Sequence, residues 1–204
     1  MSMLCPVRPT GVLDACVLIP PSLRDILLSC AEQSAFRPIW QDEILDEVRR
    51  NSVRLLKDRS GLTDGAATVA AAHLLERMSH AFPNARQPGD VWIPLVPVLT
   101  CDEKDRHVLA VALGAAATHL VTDNVRDFPP RTVPPGLAVV PPDRFLLELL
   151  STDPAQVMDA METMSRRFRQ PRKTVLELAE AMAKGRHVPG FGDELGRILT
   201  DGMP

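Results

Sequence analysis

The chain has 204 residues, 45% of them hydrophobic and 24% charged, with a formal net charge of -3. This is the composition of a globular protein with room for one compact domain and a small addition. It excludes nucleic-acid binding by net charge alone, so any such binding needs a local basic face.

No stretch reaches the roughly 18 continuous apolar residues of a membrane span. The N-terminus lacks the basic start and long apolar run of a signal peptide, and a cytoplasmic protein with no membrane partner is expected. Cys5, Cys16, Cys30 and Cys101 form no CxxC pair or zinc spacing and read as free thiols. The 19 prolines read as stiff connections.

Along the chain, Val12-Leu13 and Val17-Leu18-Ile19 flank the isolated Asp14, which predicts a buried strand with the carboxylate at or near its C-terminal end. Ser22 to Gln33 reads as an amphipathic helix started by Pro20-Pro21, and Phe36 to Trp40 as a short extended piece. Asp42 is placed to cap a helix running to about Lys57, with Gly61 as its breaker. Thr63 to Ala81 is a third helix. Val91 to Leu99 reads as two proline-interrupted extended runs at a sheet edge. Then come an acidic turn (Thr100 to Asp105), an apolar helix (Arg106 to Ala117), a strand (His119 to Thr122), a loop (Asp123 to Pro135) and a last strand (Leu137 to Val140).

This alternation predicts an α/β domain with a largely parallel sheet, whose sites lie beyond the C-terminal strand ends. From Pro141-Pro142 onward, helices at roughly 143–151, 154–168 and 174–184 follow one another, and a short apolar segment ends the chain. The expected division is residues 1–141 for the α/β domain and 142–204 for a small all-helical extension.

Four places supply carboxylates suited to chemistry. Asp14 is the first. Glu43 and Glu47 share a face of the second helix, Glu47 nearer its apolar stripe; most charges on such a helix are simply a solvated face, and periodicity does not choose between them. In Thr100 to His107, the pairs Thr100–Glu103 and Asp102–Asp105 both suit a helix N-terminus, but Asp105 shares a face with Val108, Leu109 and Ala112. After the late strand, Thr122, Asn124 and Asp127 are more polar groups than a turn requires. Carboxylates that converge repel unless one keeps a proton or a cation sits among them. Hard oxygen donors select Mg²⁺ or Mn²⁺, and such a site suits phosphodiester hydrolysis by metal-activated water.

Four segments in this order resemble a PIN-domain ribonuclease, in particular the VapC-type toxins of toxin–antitoxin pairs: Val12 to Leu18, Ile44 to Arg50, Asp105 to Ala112 and Val121 to Pro129. The resemblance implies a PIN-like (Rossmann-like) parallel sheet flanked by helices and a metal-dependent endoribonuclease with Mg²⁺ or Mn²⁺ as cofactor. Its catalytic acids would be Asp14, Glu47, Asp105 and Asp127, with Asp14, Asp105 and Asp127 as metal ligands. Thr122, Asp123 and Asn124 would be supporting polar groups. Asn124 stands where many relatives carry aspartate, which leaves Asp123 and Asp127 as alternatives for the last acid, Asp127 favoured.

The same resemblance implies an RNA substrate, a cognate antitoxin, a homodimer and a helical extension like that of longer relatives. Arg49, Arg50 and Arg54 lie close to Glu47 and are the candidate substrate-binding cations. The basic run Arg166 to Lys173 suits RNA phosphate or an acidic antitoxin segment, with a solvated helix end as the plain alternative. The rival function is a non-catalytic PIN-like protein that binds RNA or a partner. An Asp-x-Asp phosphatase is disfavoured because Cys16 holds the second acid position.

Overall fold

The computed structural model describes residues 8–201; Cys5 lies outside them. Four short strands form one wholly parallel sheet: β1 (Thr10–Leu13), β2 (Arg37–Ile39), β3 (His119–Val121) and β4 (Ala138–Val140), in the order β2-β1-β3-β4. A parallel sheet is covered on both faces, which is why its central strands read as unbroken apolar runs. Val12, Leu13, Leu120 and Val121 have no solvent exposure.

The helices of the first part are α1 (Ala15–Leu18), α2 (Pro21–Glu32), α3 (Asp42–Ser60), α4 (Asp64–Ala81), α5 (Gly89–Trp92) and α6 (Arg106–Gly114). Those of the second part are α7 (Pro142–Thr152), α8 (Pro154–Arg167), α9 (Val175–Ala183) and α10 (Pro189–Asp201). The α/β architecture with helices flanking a parallel sheet and a helical C-terminal part is thus as the sequence predicts.

Several local expectations are corrected. Val17 and Leu18 belong to α1 rather than to the first strand, which stops at Leu13. The Asp14 carboxylate accepts from the Ala15 backbone N–H at 2.7 Å and so turns the chain into a helix. Gln41, not Asp42, caps α3: its side chain accepts from Ile44 N at 2.9 Å while Asp42 is drawn outward into an ion pair with Arg86. Residues 91–99 hold the end of α5 and a 3-10 turn (Ile93–Val98) in place of extended runs. Pro94 and Pro97 have no N–H to give a ladder, but their three-residue spacing suits a 3-10 helix.

The end of the chain is a 13-residue helix, α10, not merely an apolar segment. Three glycines disguised it. Gly192 is required by contact: a Cβ there would lie 2.3 Å from the Ala183 backbone nitrogen, so α10 and α9 meet backbone to backbone. The start of α10 is tied to α7, where the Asp143 carboxylate accepts from Gly190 N (3.2 Å) and Phe191 N (2.8 Å).

Helix α7 packs against the sheet through Phe145, which is fully buried and meets Phe36 edge to face at 4.9 Å between centroids. Gly11 of β1 makes this possible, because a Cβ at that position would already touch both rings. Helix α8 lies along α2, and Arg167 of α8 pairs with Glu32 of α2. The buried side chains of residues 142–201 and those of residues 10–140 form a single hydrophobic cluster.

Candidate active site

The chain crosses to β2 on one side of β1 and later returns to β3 on the other. The C-terminal ends of β1 and β3 therefore flank the point where the connections diverge, the usual place for a site in such sheets. Leu13 and Val121 are in register, so the residues that follow, Asp14 and Thr122, emerge side by side. Asp14 N donates to Val121 O at 3.1 Å.

The Thr122 hydroxyl, fully buried, donates to Asp14 Oδ2 at 2.7 Å and accepts from Asn124 N at 3.0 Å. The Cys16 thiol donates to the same Oδ2 at 3.1 Å and accepts from Asp123 N at 3.3 Å. Burial first, and then the neighbouring Asp14 charge, pushes this thiol up to about 12, so it stays protonated as a donor. Both oxygens of Asp14 are held by protein donors on a rigid strand end. Sequence reasoning assigned Cys16 no chemistry; its position two residues after Asp14 is the one available signal.

Asp105 closes the other side. It caps α6 by position but makes no side-chain capping bond, and its Oδ2 is buried without a hydrogen-bond partner. Burial pushes the Asp105 carboxyl up to about 6, with Lys104 opposing and the charges of Asp127, Asp14 and Asp102 adding to the rise. Asp102 takes the capping role instead, accepting from Lys104 N at 3.2 Å. Lys104 Nζ stands 3.3 Å from Asp127 Oδ2 and 3.8 Å from Asp105 Oδ2, a cation between two carboxylates. The sequence reading passed over Lys104, although it is flanked by Asp102, Glu103 and Asp105.

Asp105 thus lies in the field of both Asp14 and Asp127. Glu47 sits half-buried on α3 and is not among the charges acting on Asp105. Asp123 is exposed and faces His187 of the extension, with Nδ1 3.5 Å from its Oδ2. Asn124 is exposed. Arg49, Arg50 and Arg54 occupy the exposed side of α3, Arg49 paired with Asp46 at 3.2 Å and Arg54 with Asp58 at 4.0 Å.

Among the described residues, no three His, Cys, Asp or Glu side chains are gathered closely enough to hold a metal ion together. The donor chemistry nevertheless fits a hard cation. Every candidate donor is an oxygen, and the buried Oδ2 of Asp105 makes no hydrogen bond, with Lys104 Nζ at 3.8 Å facing it against the charges of Asp14 and Asp127.

A parallel sheet of this order, flanked by helices and with acids at its central strand ends, is a PIN-like α/β architecture. Residues 10–126 match the family described as PIN domain, over more than half of the chain, and the chain belongs to that family. Residues 142–197 match the family described as VapC50 C-terminal domain. A curated protein of Mycobacterium tuberculosis named "Putative ribonuclease VapC50" is 31% identical over 111 residues, covering 54% of this chain and 64% of that protein. The match therefore spans less than two thirds of the relative. No solved structure matches the chain.

Proposed function

We propose that the protein is a divalent-metal-dependent endoribonuclease acting as the toxin of a toxin–antitoxin pair. The observation that carries this reading is the buried Oδ2 of Asp105, which makes no hydrogen bond and lies in the field of the Asp14 and Asp127 charges. Asp14, Asp105 and Asp127 would hold Mg²⁺ or Mn²⁺, with Glu47 completing the catalytic acids. Bound there, the ion supplies an activated water and charge stabilisation for the phosphate.

The chain's own residues do the rest. Thr122 and Cys16 hold the Asp14 carboxylate in one orientation by donating to it. Lys104 balances part of the excess charge among the acids and is exposed enough to swing away. Arg49, Arg50 and Arg54 would attract RNA phosphate along α3. The proposal includes a homodimer, a protein antitoxin as partner and the division at residue 141. None of the helices in the described residues is long and apolar enough to cross a membrane.

Purified protein should cut RNA with Mg²⁺ or Mn²⁺, stop in EDTA, and lose the activity as Asp14→Asn or Asp105→Asn. Undiminished cleavage by those variants would overturn the assignment. RNA binding with no cleavage by the wild type under any divalent ion would favour the non-catalytic binder. Sizing of the protein alone and after co-expression with a candidate small antitoxin protein tests the dimer and the antitoxin.

A further inference from the structure

The acidic cleft repels the phosphates of the RNA it is proposed to cut, so a substrate needs cations nearby to hold it. Two adjoining hollows in the C-terminal extension share Phe168 and Lys173 and carry no acid among their lining residues. The outer one, on the loop between α8 and α9, is lined by Arg166, Arg169, Arg172 and Lys173. Arg169 and Arg172 are exposed and make no ion pair among the described residues. Lys173 Nζ lies 5.1 Å from the Phe168 ring centroid, which puts charge and an aromatic face at the same spot.

The inner hollow is a cavity of about 160 Å³ walled by Leu23, Ile26, Met164, Leu178 and Met182. An apolar cavity of about 150 Å³ takes a single six-membered ring. Ser22, Arg186 and His187 stand at its edge and supply polar groups for a base. Ser22 and Leu23 begin α2, at the same end of the sheet as Asp14. His187 reaches Asp123, whose backbone N–H in turn donates to Cys16 of the cleft. The hollow and the acidic cleft are thus neighbours.

We infer that these two hollows form a nucleotide subsite: the loop cations hold RNA phosphate and the inner cavity takes one unstacked base. The inference rests on the nuclease reading. Single-stranded RNA is recognised by this combination of cations along the backbone and apolar or aromatic surface for the bases.

The test uses full-length Asp14→Asn protein, which cannot turn over, and short fluorescein-labelled oligouridylate read by anisotropy. Replacing Arg169, Arg172 and Lys173 together by alanine should weaken binding about tenfold and lower the salt slope by about 2. Ala181→Trp, at an exposed position on the cavity wall, should abolish a preference of about tenfold for oligouridylate over an abasic oligomer.

Unchanged binding in both variants overturns the subsite, while continued cleavage by the wild type leaves the nuclease reading standing. Absence of both binding and cleavage by the wild type sinks the two together. Loop variants that lose a polyglutamate peptide and keep RNA overturn the subsite in favour of an acidic partner.

Discussion

Thr122 and Asp14 are 108 residues apart in the chain and joined by a 2.7 Å hydrogen bond from hydroxyl to carboxylate. Parallel pairing of β1 with β3 is what brings them together, and the hydroxyl has no exposure to water. Its donor role predicts what its loss does. Thr122→Val keeps the shape and removes the donor, so thermal unfolding should show a loss of about 1–3 kcal/mol. RNA cleavage should fall by about 10–100-fold, since Asp14 loses its orientation. A variant as stable and as active as wild type would show the bond to be idle.

Asp105 predicts a pH dependence of stability. Its carboxyl titrates near about 6 in the folded protein against 3.8 ordinarily. Between those values the folded state holds a proton that the unfolded chain has released. Stability in EDTA should therefore fall as pH rises from about 4 to about 6 and level off above that window. Asp105→Asn should remove this slope. Melting temperatures across the range check the sign.

Lys104 Nζ lies between Asp105 and Asp127, 3.8 Å from one carboxylate and 3.3 Å from the other. Lys104→Met removes a positive charge that competes with a bound ion, worth about 1 kcal/mol at such distances in water. Titration with Mn²⁺ at pH 8 should show severalfold tighter binding. The fall in stability seen in EDTA should also move to higher pH, because Lys104 opposes the rise at Asp105.

Cys16 should resist alkylation. A thiol pushed up to about 12 has almost no thiolate at neutral pH, and iodoacetamide should modify it far more slowly than an ordinary cysteine. Mass spectrometry of the tryptic peptide reads the rate. Rapid labelling at pH 7.5 would mean that the Asp14–Cys16–Thr122 contacts are open in solution.

Phe145 joins the extension to the sheet. Phe145→Ala removes a fully buried ring packed on Phe36 and Gly11 and should cost about 3–5 kcal/mol. One cooperative transition at lower temperature is expected. Two separate transitions would show that the helical part folds independently.

The sequence was most legible where a local signal repeats. The apolar runs of β1 and β3, and the amphipathic stripes of α2 and α3, are periodic over their own lengths and need no partner to be read. Asp42 and Gln41 both carry side chains able to cap α3, and the sequence does not show that Asp42 pairs instead with Arg86, 44 residues away. Helix α10 is hidden in the sequence because its glycines lower helix propensity, a cost offset by close packing on α9 that no local pattern reports.

By itself the sequence determined the class: alternating strands and helices, a helical end, and acids at strand ends and a helix start. Those are consequences of short-range periodicity and of where charge interrupts apolar runs. Only the tertiary structure decided that Thr122 and Cys16 grip Asp14, that Lys104 lies between Asp105 and Asp127, and that His187 reaches the cleft from the extension. Each of these depends on parallel strand pairing or helix packing between distant segments, and electrostatic neighbours are set by distance in space, which spacing along the chain does not encode.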